Sequence, residues 1–263
     1  MGTQPRRLHP VKKILSQWKG VAGPFLLLVI WQLAAEAHIA PDSLLVPPKK
    51  VVEAAIELVK SHVLIDNLLV SLDRVAKGFV FGSSIGFLIG VLTGVWKGAD
   101  EFLSPILRTV RQVPLLGWMP LIVLWFGIGE LSKVVFISIG AFFPTMLNTY
   151  SGIRGVSKEY LEVGKIYQLS KARLIFLIII PSALPSIVTG VRLSMSISWM
   201  MVVGAEMISA NSGIGQMMAA ARDMFRTDIV MVGIIIIGVV GFIIDIVIKN
   251  VEAGIIRWQM TVK

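Results

Sequence analysis

The chain has 263 residues, 55% of them hydrophobic and only 16% charged, and a mean hydropathy of +0.80, against roughly 25% charged residues in a soluble domain. That excess of apolar residues points to lipid as the solvent, and the net charge of +9 is then explained by Lys and Arg on the cytoplasmic side of a membrane protein rather than by nucleic acid. Cysteine is absent, which excludes disulfides and thiolate metal sites, and His9, His38 and His62 are too scattered in sequence to suggest a metal site.

Residues 1–20 read as a cytoplasmic tail carrying Arg6, Arg7, Lys12, Lys13 and Lys19. The apolar stretch that follows, 21–37, has the length of a first span. It lacks a small-x-small cleavage site, so it is expected to be retained rather than removed as a signal peptide. Residues 47–67 are not a span. Val51, Val52, Ala55, Ile56 and Val59 recur at helical spacing between Lys and Glu, which predicts an amphipathic helix on the outer membrane face or on the other helices.

The second span, 75–96, holds Gly78, Gly82, Gly86, Gly90 and Gly94, with Gly98 after it. Four residues advance a helix by about 400°, so this row drifts slowly around one face. Missing side chains let a second backbone approach closely. Packing inside the monomer, a subunit-dimer face and a sliding surface all use that property. The third span, 113–127, is short and carries Pro114, Gly117 and Pro120, which predicts a break. The fourth covers 131–150. A polar, basic loop, 151–176, separates it from a long fifth span, 178–207, that begins near Pro181 and Pro185. The loop is either a handle for a soluble partner or a solvated connector. The sixth span is 229–248, and 251–263 form a second tail.

Six spans starting inside also end inside. Lys and Arg support that orientation: sixteen of the 25 fall in the four segments expected in the cytoplasm, and acids such as Asp42, Glu53, Glu57, Asp66 and Asp73 cluster outside. Trp18, Trp31, Trp96, Trp125 and Trp258 lie near span ends, where interface anchors belong.

Ionisable residues within spans are functional candidates by default. Arg192 would attract an anion, or pair with an acid or carbonyl. Glu206, beside Ser209, Asn211 and Ser212 at the outer end, is a candidate gate residue. Asp245 is expected to be satisfied by Lys249 four residues on. Met195, Met200, Met201, Met207, Met217 and Met218 read mostly as adaptable packing. There is no G-x-x-x-x-G-K-[ST] loop, so any ATP must be bound by another chain, and no catalytic constellation stands out.

The loop carries Glu162-Val163-Gly164 and, sixteen residues past the last of these, ends at Ile180-Pro181. It resembles the EAA loop of permeases in importers of the ATP-binding-cassette class. Val163 and Gly164 stand for two alanines, Gln168 for a glycine, and Ile180 for a leucine. The family glycine turns the chain between two short helices, whereas Gln168 is expected to continue or tilt the first. The similarity extends over most of the chain, through L-V-P-P at 45–48, V-P-L-L-G-W-M-P-L-I-V-L-W-F-G-I-G at 113–129, P-S-A-L-P-S-I-V-T-G-V-R at 181–192 and A-E-M-I-S-A-N-S-G-I-G at 205–215. These segments look like the branch that imports nitrate, bicarbonate, taurine and aliphatic sulfonates. The A-N-S-G-I-G wording, followed by A-A-R-D-M-F-R-T-D at 220–228, resembles the sulfonate and taurine members most.

The resemblance implies an all-α, type I importer permease fold of about six transmembrane helices, with a periplasmic amphipathic helix and a cytoplasmic coupling helix. It implies a multi-pass protein of the bacterial inner membrane, with both termini cytoplasmic. The partners it implies are a second permease copy as a homodimer, two ATP-binding cassette subunits that hold ATP and Mg, and a periplasmic substrate-binding protein. It implies no cofactor and no catalysis on this chain. Glu162, Gly164 and Leu169 would belong to the coupling helix, with Tyr160, Lys165 and Tyr167 flanking it; Arg192, Glu206, Ser209 and Asn211 are the candidates for the translocation path. A stand-alone secondary transporter is the runner-up, opposed by the shortage of membrane acids and the lack of a visible inverted repeat. An intramembrane enzyme or a scaffold fits less well.

Overall fold

The computed structural model describes residues 10–37, 39, 41 and 45–256, and for residues 10–21, 24 and 256 the backbone alone. Every regular element among these is helical: α1 (Pro10–Glu36), α2 (Pro48–Lys60), α3 (Val63–Val95), α4 (Lys97–Gln112), a 3₁₀ turn (Leu115–Trp118), α5 (Met119–Phe126), α6 (Glu130–Arg154), α7 (Lys158–Ile166), α8 (Lys171–Leu174), a π segment (Ile175–Ile179), α9 (Ile180–Ser209), α10 (Ile214–Asp223) and α11 (Thr227–Ile256).

The glycine row explains the central pair. A Cβ on Gly78 would come within 2.6 Å of Ile137, one on Gly86 within 2.5 Å of the Phe142 carbonyl, one on Gly90 within 2.7 Å of the Met146 carbonyl, and one on Gly94 within 2.9 Å of Ile153. Of the three uses for such a row, the structure shows packing within the chain. Both numbers rise together, so α3 and α6 run parallel. The α9 rod lies antiparallel to α6 by the same device: Gly140 faces Met201, Gly190 faces Asn148, and Gly152 faces Ser186. Small residues substitute here for a hydrophobic driving force, which lipid does not provide between helices.

Because α3 and α6 are parallel, the chain must recross between them. Residues 96–129 do so with a broken path. α4 and the segment 115–126 are bent by 94° where Val113 and Pro114 intervene. The expected third span, 113–127, is therefore only the outer part of a crossing that begins in α4. Its eight-residue α5 is about 12 Å long at 1.5 Å per residue, too short to span alone. Met119 and Ile122 of α5 are fully buried against Val75, Phe136, Ile137 and Val202.

Four helices are long and apolar enough to cross a membrane by themselves: Val63–Val95, Glu130–Arg154, the continuous rod Lys171–Ser209, and Thr227–Ile255. The bent pair makes a fifth crossing. The first expected span falls on α1, whose apolar part, Phe25–Glu36, is shorter than a full crossing among the described residues. Trp31 ties α1 to the next segment by donating its ring N–H to the Val46 carbonyl at 3.0 Å. Trp96 and Trp125 are exposed; the Trp18 side chain and Trp258 lie outside the described residues. The domain boundaries also move: α1 already begins at Pro10 and α11 runs on to Ile256, into both expected tails. Residues 1–9 and 257–263 of those tails lie outside the described residues.

The amphipathic segment is helical but ends at Lys60; His62, at φ 62°, breaks it, and residues 63–67 already belong to α3. Its packed face is Val51, Ala54 and Leu58, which meet Ile214, Met217, Met218 and Val232 of α10 and α11. Val52, Ile56 and Val59 of the expected apolar stripe are instead exposed. The methionines divide similarly: Met201, Met217 and Met218 are buried, whereas Met200 and Met207 are exposed.

Candidate functional site

At the end of the bundle where α6 finishes, α7 protrudes between two turns. One side of it faces inward: Gly164 is buried, and a Cβ there would overlap Leu174 and come within 3.1 Å of Ile178. The missing side chain lets α7 lie flat on the start of the α8–α9 rod. Tyr160, Val163 and Tyr167, spaced i, i+3 and i+7 on the flank adjoining Gly164, are all exposed, and so is Ile166 on the far side of the helix. Glu162 and Lys165 are exposed beside them. Glu159, also exposed, is held below the usual carboxylate range by the Ser157 hydroxyl and then by its own backbone amide.

The end of α7 corrects one expectation. Gln168 neither continues nor tilts the helix; it stands at φ 49°. The Gln168 N–H donates to the Lys165 carbonyl at 2.9 Å, and the Leu169 N–H donates to the Gly164 carbonyl at 3.0 Å. That pair of bonds is a Schellman stop with Gln168 in the position usually held by glycine. A non-glycine residue accepts this conformation at a cost of about 1–2 kcal/mol. Leu169 consequently lies beyond the helix, half-buried, while Tyr160 and Lys165 lie within it and Tyr167 caps it. Ser170 then caps the next helix, accepting from the Arg173 N–H at 3.5 Å. A π segment precedes Pro181, whose ring and missing N–H cannot continue a regular α ladder.

At the opposite end, Glu206 is not an exposed gate residue. Its carboxylate is buried and receives the Ser71 hydroxyl at 2.8 Å, the Gly215 N–H at 2.9 Å and Arg74 Nη1 at 2.8 Å. Arg74, 1% exposed, uses all five of its N–H donors. Nε and Nη2 grip the two oxygens of Glu130 at 2.7 and 2.6 Å, Nη1 also reaches the Ser212 carbonyl at 2.6 Å, and Nη2 reaches its hydroxyl at 3.0 Å. Lys133 adds a bond to Glu130 at 3.1 Å. Asn67 accepts from the Gly213 N–H at 2.6 Å. Gly213, at φ 109°, passes so close to the Glu206 carboxylate that any Cβ would overlap it. The A-E-M-I-S-A-N-S-G-I-G segment is thus a loop folded back over its own glutamate. Ser209 bonds only its own helix, to the Ala205 carbonyl at 3.4 Å, and Asn211 is exposed.

Arg192 is engaged too. Its Nη2 and Nε donate to Asp245 at 2.8 and 3.1 Å, and its Nη1 donates to Glu252 at 3.1 Å. Asp245 therefore pairs across to α9 rather than along its own helix to Lys249. Of the candidate path residues, both charged ones are held by opposite charges. Sequence inspection missed Arg74, Glu130, Lys133 and Ser71 altogether. Arg74 and Lys133 both lie inside long apolar helices, which is the signal that marks intramembrane charge.

The family model described as "Binding-protein-dependent transport system inner membrane component" matches residues 82–257. A putative aliphatic sulfonates transport permease protein of Bacillus subtilis is 37% identical over 253 residues, 96% of this chain and 92% of the relative. A nitrate import permease protein of Synechocystis is 31% identical, covering 97% and 96%, and the taurine transport system permease protein of Escherichia coli is 29% identical, covering 89% and 87%. Among solved structures, a chain of the inward-facing MetNI methionine ABC transporter aligns with a TM-score of 0.66 at 16% identity, over 74% of this chain and 97% of that one, a likeness of fold.

Proposed function

The chain belongs to the family of binding-protein-dependent transport system inner membrane components, and from that premise we propose that it forms the translocation path of an ATP-driven importer for a small oxyanion such as an aliphatic sulfonate or taurine. It is a permease subunit and not an enzyme, as its relatives are. The substrate class follows the sulfonate and taurine relatives, with nitrate as the second choice.

The observation that carries the coupling role is the outward face of α7. Tyr160, Val163, Ile166 and Tyr167 are exposed on α7 together with the charged Glu162 and Lys165, while Gly164 fixes the helix to the α8–α9 rod. Exposed apolar patches rimmed by charge are partner surfaces. An ATPase subunit seated there moves α7, and α7 moves the rod that leads through Pro181 into the membrane. On this reading α7 is cytoplasmic, both chain ends lie on its side of the membrane, and α2 and α10 face the periplasm, where a binding protein delivers substrate. Two copies of the chain and two ATPase subunits complete the transporter, with ATP and Mg on the ATPases.

The test is reconstitution. The chain is co-expressed with its candidate ATPase, and ATP hydrolysis is measured in liposomes with a binding protein loaded with taurine or an alkanesulfonate. Stimulation that is lost in Glu162→Ala or Gly164→Leu supports the proposal. An ATPase that fails to associate, or stimulation untouched by those changes, sinks it.

A further inference from the structure

Arg108 and Arg111 of α4 take no part in the ionic skeleton and line one cavity between α3, α4 and α6. Arg111 has no hydrogen-bond or ion-pair partner among the described residues. Asp100, within electrostatic reach of Arg108, is already bonded by Arg154 at 2.9 Å, by the Tyr150 hydroxyl at 3.1 Å and by Ser104. Glu101 pairs with Lys97 at 3.5 Å. Arg74 and Arg192 each hold two carboxylates instead.

Their place on a membrane-crossing segment makes this costly. Asp100 meets Arg154 at the end of α6, which marks the α7 side of the bundle. From Asp100, Arg108 lies about 12 Å and Arg111 about 16 Å further along α4 at 1.5 Å per residue. Both arginines are exposed and line a cavity of about 50 Å³ with Thr93, Ser104, Met146 and Tyr150; Thr93 and Tyr150 also touch the Asp100–Arg154 pair, so the cavity reaches in from the α7-side end of the bundle. A guanidinium held there without an ion pair requires water or an anion.

We infer that Arg108 and Arg111 form an oxyanion site in the inner half of the translocation path; the Ser104 and Tyr150 hydroxyls are already given to Asp100 and that of Thr93 to the Ile89 carbonyl, so the two guanidinium groups supply the donors. The inference rests on the importer reading. Guanidinium groups bind planar or tetrahedral oxyanions bidentately, and sulfonate, nitrate and a lipid phosphate share that chemistry. The cavity, with room for a few waters at roughly 10–15 Å³ each, fits a headgroup rather than a whole organic molecule. The two arginines accept the anion released inward and balance its charge while it crosses.

The experiment uses the reconstituted transporter and radiolabelled taurine. Arg108→Gln and Arg111→Gln, singly and together, are compared with Arg108→Lys and Arg111→Lys. Each lost charge-assisted contact is expected to lower uptake by about tenfold or more, with ATPase association unchanged and with lysine recovering part of the loss. Because the chain contains no cysteine, Arg111→Cys gives a second, folding-independent readout: the membrane-impermeant anionic reagent 2-sulfonatoethyl methanethiosulfonate labels it from the α7 side, and excess taurine slows the labelling. Wild-type uptake with an unaffected double glutamine variant, or an unlabelled cysteine, overturns the site alone. Defects seen only in vesicles containing phosphatidylglycerol, and absent in pure phosphatidylcholine, assign the pair to a lipid phosphate and overturn it likewise. No uptake by the wild type, with no ATPase stimulation, overturns the importer reading and the site with it.

Discussion

Arg74 and Glu206, 132 residues apart in the chain, meet at 2.8 Å with both side chains almost completely shielded. Their contact joins α3 to the end of α9, and through Glu130 and Ser212 it also holds the start of α6 and the loop into α10. Removing one partner from a buried pair leaves an uncompensated charge, at a cost of about 3–5 kcal/mol. Arg74→Met is therefore expected to lower the thermal midpoint and the yield of monodisperse protein in detergent sharply. Arg74→Met with wild-type stability would show that the pair does not hold these helices together.

Gln168 occupies a left-handed position that glycine adopts freely. Gln168→Gly is expected to raise stability by about 1 kcal/mol and to leave ATPase coupling intact. Gln168→Val, β-branched in the same conformation, is expected to lower both. Thermal unfolding of the three proteins checks this, and a glycine variant less stable than wild type would contradict the stop assigned to α7.

Along α3 the glycines are not equivalent to glycine elsewhere. A Cβ at Gly82 would run into the Ser138 backbone, whereas one at Gly238 in α11 meets nothing within 4 Å. Gly82→Ala is expected to cost about 1–3 kcal/mol by overpacking. Gly238→Ala is expected to be neutral or slightly stabilising, because alanine is the better helix former. Equal effects at the two sites would mean that α3 and α6 are not in backbone contact.

Asp245 has two candidate partners, Lys249 along its own helix and Arg192 across to α9. A double-mutant cycle separates them. Asp245→Asn is expected to couple to Arg192→Gln by about 1 kcal/mol or less, since both side chains are partly exposed, and not to couple to Lys249→Gln. Coupling to Lys249 alone would refute the cross-helix pair.

Much of this was legible from local pattern. Long apolar runs set four of the crossings, and the Pro and Gly of 113–127 announced the break. Glu162, Gly164 and Pro181 marked the protruding helix through their resemblance to the family loop. Gln168 was misjudged because propensity favours helix there, while the packing of Gly164 on Leu174 and Ile178 requires the chain to turn. The ionic network was not legible. A charge in an apolar run signals that a partner exists, but sequence separation carries no information on which of several acids will lie opposite it.

By itself, then, the sequence determined that this is a helical membrane protein, where its long apolar helices lie, and which face of α3 is bare. Those properties depend on the solvent and on residues within a few turns of one another. Only the tertiary structure decided that α3 and α6 run parallel, that Glu206 serves Arg74 and Asp245 serves Arg192, and that Arg108 and Arg111 form no ion pair among the described residues. Charge pairing in a low-dielectric interior is a competition settled by distance in space, and that distance exists only once the helices have packed.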